Sequence, residues 1–272
     1  MGTTAQKLNK ILETKEAIRT AINNKGGTLS TTDTFASYSS AIDSLPSGGG
    51  GSLKTLLDAT KSTYFLFFNY KGTNTDGLIS YSDTSSVTNM GSMFQGCSNL
   101  TTISQLDTSN VTSMSSMFNG CSNLTTIPQL VTSSVTDMSR MFQGCSNLTT
   151  IPQLNTSKVT NMNNMFTSCS KLTTIDITHM KITSTSNTNY FANNCYSLTK
   201  LIIRNMDTIP ALASNAFTNC YHFTGRIDST YNPQGIKDGR IYVPDDKVDA
   251  LKTAKNWSDY ADIIVPLSTL VE

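Results

Sequence analysis

From Met93 onward the apolar positions return every 24 residues: MFQGCSNLTTISQLDTSNVTSMSS, then from Met117 MFNGCSNLTTIPQLVTSSVTDMSR, then from Met141 MFQGCSNLTTIPQLNTSKVTNMNN. A looser copy begins at Met165, degenerate ones follow at Phe191–Cys195 with Leu198 and at Phe217–Cys220 with Phe223, and half a unit, 83–90, precedes the series. The array therefore runs from about residue 78 to about residue 227. Within a unit, Met114, Met117, Phe118 and Cys121 stand at i, i+3, i+4 and i+7. This spacing predicts a two-turn amphipathic helix, capped by Thr112 or Ser113 and stopped at Gly120. Leu124, Ile127 and Leu130 then recur every third residue, which predicts a very short strand ending near Pro128, as its counterpart ends near Pro152. One short helix and one short strand cannot bury their own apolar side, but stacked copies join into a continuous core. The expected fold class is an α/β repeat solenoid, a right-handed coil of one helix and one strand per unit.

Both ends of such a stack need covering. Residues 53–77 form the expected N-terminal cap, with Leu56, Leu57, Tyr64, Phe65, Leu66, Phe67 and Phe68. Residues 228–272 form the C-terminal one, in which 241–244 read as a strand and Asp245 or Asp246 as the cap of a helix carrying Val248 and Leu251. Trp257, Tyr260, Ile263 and Ile264 then lie over the last rung. Residues 1–46 differ in kind. A helix with Leu8, Ile11, Ile18 and Ile22 follows a heptad pattern, a second short helix holds Phe35, Tyr38 and Ile42, and a Gly/Ser linker at 47–52 separates this module from the array. The seam of Leu8, Ile11, Ile18 and Ile22 is the expected docking and oligomerisation surface.

Charge narrows the functional classes. Only 14% of residues are charged and the formal net charge is +1, so no basic stripe exists to neutralise phosphates, and nucleic-acid binding is not expected. No stretch reaches the length of a membrane span, and the start carries no secretory pattern, so neither membrane insertion nor conventional export is expected.

The six cysteines, Cys97, Cys121, Cys145, Cys169, Cys195 and Cys220, never pair at the two-to-four-residue spacing of zinc ligands. They read as small buried hydrophobes on the stripe, with disulfides between neighbouring units as the alternative. The methionines at 90, 114, 138 and 162 and at 93, 117, 141 and 165 read as core. His179 and His222 have no nucleophile beside them, and phosphate-loop, dinucleotide and metalloprotease signatures are missing, so no catalytic, cofactor or metal residues are expected. The residues just before the inward Ile positions, Thr102, Thr126, Thr150, Thr174 and Lys200, are the candidate ligand-contact face, with Asn99, Asn123 and Asn147 in turns.

The units resemble the BspA-type leucine-rich repeats, in the variant of mycoplasma surface lipoproteins that is common in Firmicutes and their phages. The ending YVPDDKVDALKTAKNWSDYADIIVPL looks like the terminal cap of such arrays. The opening KLNKILETKEAIRTAINNKGG, with FASYSSAI, is similar to segments at the start of phage and prophage tail-fibre or head-fibre proteins. These resemblances imply a non-enzymatic virion protein of the fibre type, docked on other virion proteins through residues 1–46, homotrimeric, and displaying its repeats to a host-surface polysaccharide or protein. The alternative they imply is a bacterial cell-surface adhesin of the BspA-like class whose export signal is missing.

Overall fold

The computed structural model describes residues 84–271 apart from residue 183, together with Thr63, residues 66–70, Gly72, Thr73 and Thr75. It also describes Glu16, Arg19, Thr20, Ile22, Asn23, Thr28 and Ser30. The linker at 47–52, the second short helix, the cap residues Leu56, Leu57, Tyr64 and Phe65, and the seam positions Leu8, Ile11 and Ile18 lie outside these residues. Glu16, Arg19, Thr20, Ile22 and Asn23 are helical, and Ile22 is buried in the cluster that also contains the apolar residues of the repeats.

The expected helix in each unit is replaced by a run of turns, which corrects the α/β reading of the repeat. The amides of Met114, Ser116, Phe118 and Gly120 donate to the carbonyls of Asp137, Ser139, Met141 and Gln143 in the next unit, at 3.0, 2.8, 2.9 and 2.7 Å. The alternate amides of Met117, Asn119 and Cys121 turn back three residues, each to a carbonyl 3.1 Å away, on Met114, Ser116 and Phe118. An α-helix would instead send every amide back four residues. Ser116 and Gly120 enforce the difference, because both have left-handed backbone, with φ of 58° and 78°. The next unit repeats this at Arg140 and Gly144, with φ of 56° and 76°. Thr112 and Ser113 are accordingly not helix caps. The Thr112 amide donates to the Thr88 carbonyl at 2.8 Å, and Ser113 sits in a column of parallel bridges that joins Asn89, Ser113, Asp137 and Asn161.

Among the described residues the short strands appear toward the C-terminal end. Strands β1 (Thr174–His179), β2 (Lys200–Asn205), β3 (Arg240–Val243) and β4 (Ile264–Pro266) form one parallel sheet in that order. Ile175 pairs with Leu201 and Leu201 with Ile241, so the buried positions stay in line across the units. Earlier units carry Pro128 and Pro152, which have no amide to donate, where β1 offers the β-branched run Thr174, Ile175, Ile177 and Thr178. The C-terminal segment contributes β3 and β4 to this sheet. Val248, Leu251, Trp257, Tyr260, Ile263 and Ile264 are buried, and the Trp257 indole donates to the Pro210 carbonyl at 2.8 Å. One detail differs: neither Asp245 nor Asp246 caps the helix Val248–Thr253. Its N-cap position is Lys247, and the Asp245 carboxylate accepts the Ser268 amide at 3.0 Å, tying the last residues back.

Three buried columns run through the stacked units. Phe67, Phe94, Phe118, Phe142 and Phe166 stack face over face, with centroids 5.3–5.7 Å apart and planes within 10°. The stack turns edge-on at Phe191 and Phe217. Beside it all six cysteines are free and buried, and each thiol donates to a main-chain carbonyl one unit earlier. The third column, Thr84, Thr108, Thr132 and Thr156, is polar yet buried. Thr108 Oγ1 donates to the Val131 carbonyl at 3.0 Å and accepts the Val131 amide at 2.7 Å, so this hydroxyl is satisfied in both directions.

Candidate ligand-contact face

The Thr-Thr pairs of successive units place two threonine columns side by side, and the structure separates their roles. Thr101, Thr125, Thr173 and Thr199 direct their hydroxyls along the stack, donating to the carbonyls of Thr73, Thr101, Thr149 and Thr173 at 2.9, 3.3, 3.4 and 3.3 Å, whereas the Thr149 hydroxyl makes no such bond among the described residues. Thr102, Thr126 and Thr150 are exposed, and their hydroxyls make no hydrogen bond among the described residues. The three candidate threonines are thus the uncommitted column. Thr174 departs from the expectation of full exposure. It opens β1, is half-buried, and stands in register with Lys200, which is exposed, and then with Arg240. The row therefore begins with neutral hydroxyls and ends with two cations.

A ladder of side chains holds this face on one flank. Gln105 and Gln129 donate through Nε2 to the carbonyls of Gln129 and Gln153 at 2.8 and 3.1 Å, and Gln153 continues it to Asp176 Oδ1 at 3.3 Å. Arg204 grips Asp176 with Nε and Nη2, at 3.0 Å to Oδ1 and 2.7 Å to Oδ2. Ile127 and Ile151 pack behind the row against the core. Hydroxyls mounted on such rungs lose little freedom when a ligand binds, which favours affinity from weak contacts.

The cysteines lie buried in the core behind the face. Burial pushes the Cys195 thiol up to about 12 and raises Cys121, Cys145, Cys169 and Cys220 as well, which keeps their sulfurs protonated at neutral pH. The His222 ring lies 2.7 Å from Asp238 Oδ1, and His179 Nδ1 is buried with no hydrogen-bond partner among the described residues. Among the described residues no His, Cys, Asp or Glu group could hold a metal ion, and no helix is long and apolar enough to cross a membrane.

The family described as "Mycoplasma protein of unknown function, DUF285" matches residues 61–149 and 122–231. The chain belongs to this family. The two matches together take in more than half of its 272 residues, including every unit that carries Thr102, Thr126, Thr150, Thr174 and Lys200. The resemblance to the mycoplasma repeat variant is thereby placed on the rungs, whereas residues 1–60 lie outside the match. No curated protein matches the chain.

Two features of this family member escaped the sequence pattern. The buried column of Thr108, Thr132 and Thr156 carries no apolar signal, and only its strict recurrence in the Asp-Thr-Ser, Val-Thr-Ser and Asn-Thr-Ser triplets marks it. The division of labour within the pairs Thr101-Thr102 and Thr125-Thr126 has no signal in composition, because the two residues are identical.

Proposed function

We propose that this chain is a non-enzymatic adhesion protein in which a leucine-rich-type solenoid, coiled right-handedly, offers the row Thr102, Thr126 and Thr150 to a host surface. In this reading it serves as a fibre-type structural protein of a virion. The observation that carries it is a contrast between neighbours: Thr101 and Thr125 spend their hydroxyls on the stack, while Thr102, Thr126 and Thr150 leave theirs unbonded among the described residues. Neutral hydroxyls in a row suit a polysaccharide or a protein surface rich in polar groups. Each neutral hydrogen bond contributes about 0.5–1.5 kcal/mol net, so grip comes from several rungs and from several copies held together. Residues 1–46 would supply those copies, joining three chains and docking them on other virion proteins, with 47–52 as linker, 53–77 and 228–272 as caps and 78–227 as the repeats.

The family match favours a second reading, a bacterial cell-surface adhesin, since the matching family is described from Mycoplasma. The labelled full chain should be retained on at least one of a panel of bacterial cells or their purified wall polysaccharides, with no release of shortened sugars. Retention on none of them would overturn adhesion in both readings. An antibody to the chain then separates the two: labelling of purified phage particles supports the fibre, and labelling of intact uninfected cells supports the surface adhesin.

A further inference from the structure

The position after each core cysteine holds Ser98, Ser122, Ser146 and Ser170 in the first four units, and in three of these the hydroxyl serves the stack. Ser122, Ser146 and Ser170 donate to the carbonyls of Ser98, Ser122 and Ser146 at 3.4, 3.3 and 3.2 Å. In the last two units the same position is Tyr196 and Tyr221. The stack does not require tyrosine there, because serine fills the place elsewhere. The two rings lie face to face, 5.2 Å apart and 12° from parallel. Tyr231, from the segment between the last unit and β3, completes a triangle with centroids 4.9 Å from Tyr196 and 6.3 Å from Tyr221. We propose that Tyr196, Tyr221 and Tyr231, with Arg226 and Asp228, form a binding site for a neutral saccharide, separate from the threonine row.

Four observations support this chemistry. Tyr221 is buried and Tyr196 and Tyr231 are half-buried, yet none of the three phenol hydroxyls makes a hydrogen bond among the described residues and none is a fully buried unpartnered atom, so each oxygen reaches solvent uncommitted. Desolvation, and after it the Asp228 carboxylate and the neighbouring phenols, raises the Tyr221 pKa, so the group stays a neutral hydroxyl. Asp228 uses Oδ1 to accept the amides of Thr230 and Tyr231, each at 3.0 Å, and Oδ2 has no partner among the described residues. Arg226 lies 5.8 Å above the Tyr221 ring and donates to Asn219 Oδ1 at 2.5 Å, which anchors a cation over that ring. Packed rings with polar tips match a ligand that has apolar C–H surface and dense hydroxyls. One cation and one carboxylate together present no net charge, which favours a neutral sugar over an acidic one.

The test uses the full chain on an array of neutral oligosaccharides built from glucose, galactose, N-acetylglucosamine and N-acetylgalactosamine. Tyr196→Ser installs the residue that earlier units already carry, and Tyr231→Phe keeps the ring while removing its hydroxyl. The chain should be retained on at least one neutral glycan. Tyr196→Ser should weaken that retention at least tenfold and Tyr231→Phe severalfold, while a Thr126→Glu/Thr150→Glu variant retains it. No neutral glycan retained, retention of acidic glycans alone, or retention by Tyr231→Phe and Tyr196→Ser equal to that of the parent overturns the proposal. So does loss of retention in the threonine variant with both tyrosine variants intact, because the sugar would then belong to the threonine row.

Discussion

The Cys145 thiol donates to the Phe118 carbonyl, 3.1 Å away and one unit earlier, so the sulfur column and the ring column are joined through the main chain. The same pairing repeats with Cys121 and Phe94 and with Cys169 and Phe142. These thiols are structural donors, held protonated by burial. The folded chain should therefore leave them unreacted with a thiol reagent at neutral pH, and all six should react once it is denatured without reductant. Fewer than four after denaturation would mean that disulfides join the units.

The same burial gives stability an alkaline limit. A group whose folded pKa is raised holds more protons folded than unfolded between its two pKa values, so stability falls as pH rises through that window. For Cys195 the window runs from the ordinary thiol value of 9.0 to about 12. The melting temperature should lose nothing to the thiols below about pH 9 and should drop steeply above it. Cys195→Ser should make that alkaline slope shallower. An unchanged slope in this variant would show that the thiol ionises as freely folded as unfolded.

Phe142 lies between Phe118 and Phe166, 5.7 and 5.6 Å away and nearly parallel to both. Emptying this fully buried place by Phe142→Ala should lower unfolding free energy by about 3–5 kcal/mol in denaturant titration. A loss below about 1 kcal/mol would contradict a continuous ring stack.

Thr108 and Thr126 make a matched pair of tests. Thr108→Val removes a hydroxyl that both donates to and accepts from Val131 in a buried place, and should cost about 1–3 kcal/mol. Thr126→Val removes an exposed, unbonded hydroxyl and should change stability by no more than about 0.5 kcal/mol. Equal effects would contradict the separation of structural and presented threonines.

Much of this architecture could be read from recurrence alone. Met114, Met117, Phe118, Cys121, Leu124 and Leu130 are all buried, as the apolar pattern requires, and Trp257, Tyr260 and Ile264 sit in the closing segment where their sequence places them. The local conformation could not be read in the same way. A spacing of i, i+3, i+4 and i+7 suits a helix, but it also suits consecutive turns whose alternate amides reach the next unit. The deciding residues, Ser116 and Arg140, have left-handed backbone that their side chains do not advertise. Of the candidate face, exposure of Thr102, Thr126, Thr150 and Lys200 was legible, while the half-burial of Thr174 follows from its place at the start of a paired strand. Tyr196 and Tyr221 stand out only when the final units are aligned on the serines they replace.

The central claim is that the stack is scaffold and the unbonded threonines make the contact. The most direct measurement compares cell or wall-polysaccharide retention of the full chain with that of a Thr126→Glu/Thr150→Glu variant, alongside the melting temperature of each. The account predicts that the variant loses retention on at least one surface bound by the parent while the melting temperature stays within about 2 °C, because neither hydroxyl supports the fold. Undiminished retention by the variant on every surface bound by the parent would contradict it and leave the row as solvated surface.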